Sequence, residues 1–204
     1  CTVLGLTNLI SWLNYRIDLF IVEAFGSLSA TGVYAIAVTV TELLWFISSS
    51  VSAAAYGRIG QPGREAAATL TVRLMHFNLA VLLIASPVLL GLAAWGLPRV
   101  LGEPYADALS LMLWLLPGVW AYGCASTLSA YYTNFLGRPR LSAAVAGASL
   151  LINVGACLLL VPRLGATGAA IATSLSYVLA IAWGLALFRR HAGLRWRDVF
   201  RPAR

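Results

Sequence analysis

Six apolar blocks, each about as long as a bilayer is thick, leave this chain few ways to fold. They run over about 3–25, 31–56, 74–97, 108–135, 142–161 and 167–188, and a helix needs roughly 20 residues at 1.5 Å per residue to cross the hydrocarbon. The blocks are continuous rather than alternating over about ten residues, which favours helices over a barrel. Charged residues make up 10% of the chain, against about 25% in a soluble domain. The expected fold class is therefore all-α integral membrane, with six transmembrane helices in one bundle over 1–190 and a basic cytoplasmic tail over 191–204. The connections are short and carry breakers such as Gly60-Gln61-Pro62-Gly63, Gly137-Arg138-Pro139 and Pro162-Arg163-Leu164-Gly165, so no soluble domain fits between the blocks. The first block has no basic leader and no small-residue cleavage site, so it reads as part of a longer chain rather than as a signal peptide.

All fourteen basic residues are arginine. The connections around 57–73 and 137–141 and the tail after Phe188 hold eleven of them, the opposite side holds only Arg99 and Arg163, and Arg16 lies within a block. Short arginine-rich loops stay cytoplasmic, so both ends of this segment are expected in the cytoplasm. That distribution accounts for the basic charge as topology and leaves no folded basic module for nucleic acid. The tail from Arg189 to Arg204, with Trp196 and Phe200, suits membrane lipid headgroups, at roughly 1 kcal/mol per arginine.

Polar residues inside the blocks are the candidates for function, because a charge at mid-membrane costs roughly 2.5–3.5 kcal/mol or more and faces a protein interior or a wet cavity. In the first block Asn8, Ser11, Tyr15 and Asp18 recur at steps of three and four and share a helix face, and Asn14 lies one turn before Asp18. Arg16 points to another side and needs a counter-charge or a ligand from another helix. The second block supplies Glu42 within the stripe Thr39, Glu42, Phe46, Ser49; beside it runs Tyr34, Thr41, Trp45, Ser48, Ser52. The short connection predicts an antiparallel pair with these polar faces close together. Mutual neutralisation of Arg16, Asp18 and Glu42 is the alternative to a role in a substrate or ion path. His76 reads as a packed or interfacial histidine, Pro87 and Pro117 as kinks, and Tyr131 and Tyr132 as an interfacial tyrosine belt. The small residues of the fifth and sixth blocks predict close-packed scaffold helices. Cys1, Cys124 and Cys157 form no framework or metal motif. No phosphate-cradling loop, metal spacing or nucleophile with its base is present, so neither a cofactor nor an enzyme is expected.

Several stretches resemble the C-terminal half of bacterial polysaccharide biosynthesis flippases, within the multidrug/oligosaccharidyl-lipid/polysaccharide exporter superfamily. They are Arg16-Ile17-Asp18, Gly32-Val33-Tyr34-Ala35 with Ala37 and Glu42, Gly102-Glu103-Pro104-Tyr105-Ala106-Asp107-Ala108, Leu136-Gly137-Arg138-Pro139-Arg140, and Asn153 followed by the run from Leu158 through Pro162-Arg163-Leu164-Gly165 to Thr173. The resemblance implies the second six-helix bundle of a two-bundle transporter, partnered by an N-terminal half, that moves a lipid-linked oligosaccharide across the cytoplasmic membrane by alternating access. Arg16 would then meet the diphosphate of an undecaprenyl carrier. Asn14, Tyr15, Tyr34, Trp45 and Ser48, Ser49 and Ser50 would meet sugar, and Asp18 and Glu42 would tune Arg16 or bind a coupling proton or sodium ion. The alternatives are a proton- or sodium-coupled multidrug antiporter of the same superfamily, and a membrane glycosyltransferase, ligase or polymerase acting on lipid-linked sugar.

Overall fold

The computed structural model describes residues 2–59, 63–123 and 125–200; the side chains at 2–4, 6–8, 10–12, 14–15, 54–59, 64 and 125–126 lie outside the described residues. The described chain is all-helical: α1 (Thr2–Phe25), α2 (Leu28–Ile59), α3 (Arg64–Leu101), a 3-10 turn (Glu103–Asp107), α4 (Ala108–Tyr122), α5 (Ala125–Ala130), a π-turn (Tyr131–Phe135), α6 (Pro139–Ala192) and α7 (Trp196–Phe200). Four helical stretches are long and apolar enough to cross a membrane: Leu28–Ala53, Glu65–Leu101, Glu103–Phe135 and Pro139–Ala192.

The helices outrun the apolar blocks that predicted them. α3 begins at Arg64 rather than near residue 74, because Glu65 and the alanines after it are good helix formers that extend the helix beyond its apolar part. It also continues through Pro87 and Pro98, each of which removes a single backbone donor.

The 54 residues of α6 would reach about 81 Å as one straight helix, but the chain turns back at Gly165, whose φ of 59° and ψ of −138° are non-helical. Across this turn a Cβ built on Gly168 would lie 2.5 Å from the Leu160 carbonyl oxygen, and Thr173 Oγ1 lies 3.4 Å from Asn153 Oδ1. Residues twenty positions apart on one helix would be about 30 Å apart. α6 is therefore two antiparallel arms, α6a (139–164) and α6b (166–192), with the positive φ and the close approach both requiring glycine.

α1 packs chiefly on α6 and much less on α2, while α4 packs on α6 and on α2. The expected α1–α2 pairing is thus limited, and the hairpin of α6 is the principal partner of α1. α4 approaches α6b most closely at Gly118, where a Cβ would stand 2.5 Å from Ser174 Cα and the Gly118 N–H donates to Ser174 Oγ at 2.7 Å. Of the small residues of the last two blocks, Gly168 does bring its arm against the other, whereas Gly147 and Gly155 have open space beside them.

Tyr131 and Tyr132 are buried in the protein rather than displayed as a belt. Tyr132 Oη donates to the Gly184 carbonyl, and the Tyr131 ring meets Phe188 edge-on. The wide π-turn, closed by the Leu136 N–H to the Tyr131 carbonyl, directs both rings inward.

Candidate functional site

Asp18 sits seven residues before the end of α1, on the face that meets α6, and only 1% of it is exposed. Its Oδ2 accepts a hydrogen bond from Tyr34 Oη of α2 at 2.6 Å and another from Thr173 Oγ1 of α6b at 3.0 Å. Its Oδ1 accepts the Leu19 N–H at 2.8 Å. Asn153 of α6a completes the cluster, with Oδ1 beside Thr173 Oγ1 and accepting from Cys157 Sγ at 3.3 Å. Four helical segments thus place a carboxylate, a phenol, a hydroxyl and an amide around one point.

The geometry follows from local sequence. Asn153 and Cys157 are one helical turn apart on α6a, and the Gly165 turn lies almost midway between Asn153 and Thr173, so folding α6 back sets the two opposite each other. A buried carboxylate needs compensation, and here donors supply it, since no ion pair to Asp18 closes among the described residues. Oxygen donors in this arrangement suit a proton or a small hard cation. Among the described residues no group of three histidine, cysteine or acidic side chains could hold a metal ion.

Arg16 lies two residues from Asp18 and about 200° around the helix. It is half-buried and acts electrostatically on Glu42, also half-buried, as does Asp18. No ion pair closes between Arg16 and Glu42 among the described residues. The two sequence stripes of α2 separate in space. Thr39, Phe46 and Ser49 are exposed, with Glu42 at their edge, whereas Tyr34, Thr41, Ser48 and Ser52 are buried with Trp45 among them. The expected sugar contacts are therefore divided: Ser49 and Ser50 bond back to the Phe46 carbonyl on the outer face, and Tyr34 and Ser48 face the interior.

Trp45 closes a triangle of rings with Tyr122 of α4 at 5.0 Å and Tyr177 of α6b at 5.8 Å, the two tyrosines being 4.7 Å apart. The side chains of Asn14 and Tyr15 lie outside the described residues. His76 packs as expected, its Nδ1 2.9 Å from the Val72 carbonyl oxygen.

Sequence reasoning did not place Cys157, Tyr122 or Tyr177 at a site, and Asn153 and Thr173 entered only through a motif. A lone asparagine in mid-block, mirrored across a proline-glycine turn by a threonine, was the available signal. Comparison with protein-family models, with curated proteins and with solved structures returned no match.

Proposed function

We propose that this chain forms one six-crossing bundle of a two-bundle membrane transporter that flips an undecaprenyl-diphosphate-linked oligosaccharide across the cytoplasmic membrane. α1, α2, α3, the run from α4 to the π-turn, and the two arms of α6 are the six crossings. Both ends of the segment are then cytoplasmic, and an N-terminal half supplies the other wall of the cavity.

One observation carries this reading. Two opposite charges two residues apart on α1 have different surroundings: Asp18 is enclosed by donors, whereas Arg16 is half-buried with no ion pair closed on it among the described residues. An arginine in an apolar helix needs an anion, and its planar guanidinium matches a diphosphate bidentately. Glu42 nearby lowers the cost of the charge when no substrate is bound, and Asp18 provides a place for a coupling cation.

The test is transport by the full-length protein in proteoliposomes. Arg16→Ala is expected to reduce translocation of the lipid-linked sugar at least tenfold, and Arg16→Lys to recover part of it. Intact sugar-lipid translocation in Arg16→Ala, together with loss of dye efflux in Asp18→Asn, would overturn the flippase reading in favour of a cation-coupled drug antiporter.

A further inference from the structure

We propose that the interior of this bundle holds a water-filled route for a small monovalent cation, leading from Asp18 along α2 to the arginine-rich face. The route's direction rests on the transporter reading above; its existence is argued from the side chains.

The buried stripe of α2, Tyr34, Thr41, Trp45, Ser48 and Ser52, keeps to one helix face. From Tyr34 to Ser52 it covers about 27 Å of helix, close to the roughly 30 Å of a hydrocarbon core. Neighbouring helices extend it at the levels of Tyr34, Trp45, Ser48 and Ser52, while Thr41 Oγ1 donates to the Ala37 carbonyl of its own helix. Asp18, Thr173 and Asn153 surround Tyr34. Tyr177, one turn beyond Thr173, and Tyr122 form a ring layer with Trp45. Gly123 faces Ser48, and Thr127 with Asn78 meets Ser52. α2 and the run from α4 into α5 are in parallel register here, pairing Ser48 with Gly123 and Ser52 with Thr127. α3 runs the other way and brings Asn78 to Thr127.

Two polar atoms at the far end have no protein partner, and that separates a route from mere packing. Ser48 Oγ and Asn78 Oδ1 are enclosed by the protein with no hydrogen-bond partner, although their residues are 3% and 1% exposed. The links from Thr127 Oγ1 to Ser52 Oγ and to Asn78 Nδ2 are both 3.4 Å, longer than a good direct bond. Buried polar atoms are satisfied by protein or by ordered water, so Ser48 Oγ and Asn78 Oδ1 call for water. Gly123 contributes by lacking a side chain: a Cβ there would stand 3.1 Å from Ser48 Oγ and clash with Leu82 Cδ1. An alanine at 123 would cover the Ser48 hydroxyl. The ring layer of Trp45, Tyr122 and Tyr177 then lies between this wet end and Asp18, as the narrow section.

The experiment uses the full-length protein in proteoliposomes, with all of its cysteines, Cys1, Cys124 and Cys157 among them, replaced by serine, and silver ion as the probe, since it is close to sodium in size and binds thiolates. Silver added on the arginine-rich side is expected to be captured by Ser48→Cys and Ser52→Cys at least tenfold faster than by Leu44→Cys and Leu116→Cys, whose positions are equally buried but apolar. Thr41→Cys, beyond the ring layer, is expected to react more slowly than Ser48→Cys but faster than either leucine position. Adding Gly123→Ala is expected to slow capture at Thr41→Cys while leaving Ser52→Cys unchanged, which also reports that the protein is folded. Equal capture at the serine and leucine positions would overturn the route, as would an unchanged Thr41→Cys rate in the Gly123→Ala protein. Sodium added at constant pH slows capture at Thr41→Cys if sodium is the passenger, and has no effect if a proton is. Silver capture needs no lipid-linked sugar, so failure of the flippase reading and failure of the route are separately visible.

Discussion

Tyr34 Oη donates to Asp18 Oδ2 at 2.6 Å, tying α2 to α1 although the two helices otherwise share little surface. The bond is fully buried, a setting in which hydrogen bonds are strongest. Tyr34→Phe leaves Asp18 Oδ2 with Thr173 Oγ1 alone. The expected loss of stability is about 1–3 kcal/mol, a range set by buried hydrogen bonds and by bonds between helices in a bilayer. Thr173→Val removes the second donor, and because both donors serve one oxygen the double variant should depart from additivity by about 0.5 kcal/mol or more. Unfolding titrations in bicelles measure all three, and strictly additive losses would mean that the two donors act independently.

Gly165 carries the reversal of α6 with a φ of 59° and ψ of −138°, a conformation that costs a residue with a Cβ roughly 1–3 kcal/mol. Gly165→Ala is expected to destabilise the protein by that amount. Gly168→Ala should be worse, because its Cβ would press on the Leu160 carbonyl and the Val161 nitrogen, at 2.5 Å and 3.0 Å, and backbone yields less than a side chain. The same unfolding titration orders the two. A Gly168→Ala protein more stable than Gly165→Ala would mean that the arms can separate at little cost.

The apolar blocks announced the helices because a helix able to cross a membrane needs a long unbroken apolar run, and the turn at Pro162 to Gly165 marked the point where α6 reverses. Less legible was which face of each helix points inward. The two polar stripes of α2 look equivalent in the sequence, yet Ser48 is buried and Ser49 exposed, since that choice depends on α3, α4 and α6b packing against α2. Asp18 stood out as a charge in an apolar run, whereas Thr173 did not, because threonine is ordinary in such a helix and gains significance only when the hairpin brings it to the carboxylate. Tyr131 and Tyr132 looked interfacial from their position near a block's end, and the inward twist of the π-turn decided otherwise.

Gly118 follows Pro117 in α4, and its N–H bonds to Ser174 Oγ across the helix interface at 2.7 Å. A methyl group at this position would meet Ser174 Cα at 2.5 Å, so Gly118→Ala has to push α4 and α6b apart. Overpacking of this kind costs about 1–3 kcal/mol. Ser174→Gly in the Gly118→Ala protein should not recover the loss, because the nearest atom is backbone and remains in place. Thermal unfolding in detergent distinguishes this from a side-chain clash, which the second substitution would relieve.

Arg16 and Glu42 offer the sharpest division between a structural and a ligand-binding role for the charges of this bundle. If they formed a buried ion pair, removing one partner would strand the other and cost about 3–5 kcal/mol, with strong coupling between them. No ion pair closes between them among the described residues, where both are half-buried, so the coupling energy from Arg16→Ala, Glu42→Ala and the double variant is expected below about 1 kcal/mol, near that of a solvated pair. Transport should divide differently. On the flippase reading proposed above, Arg16→Ala is expected to reduce sugar-lipid flipping at least tenfold with little loss of stability, and Arg16→Lys to keep part of the activity because it retains charge but not the planar fork. A coupling energy of several kcal/mol, with transport falling only as stability falls, would instead make Arg16 a packing residue and remove the anion-binding role from α1.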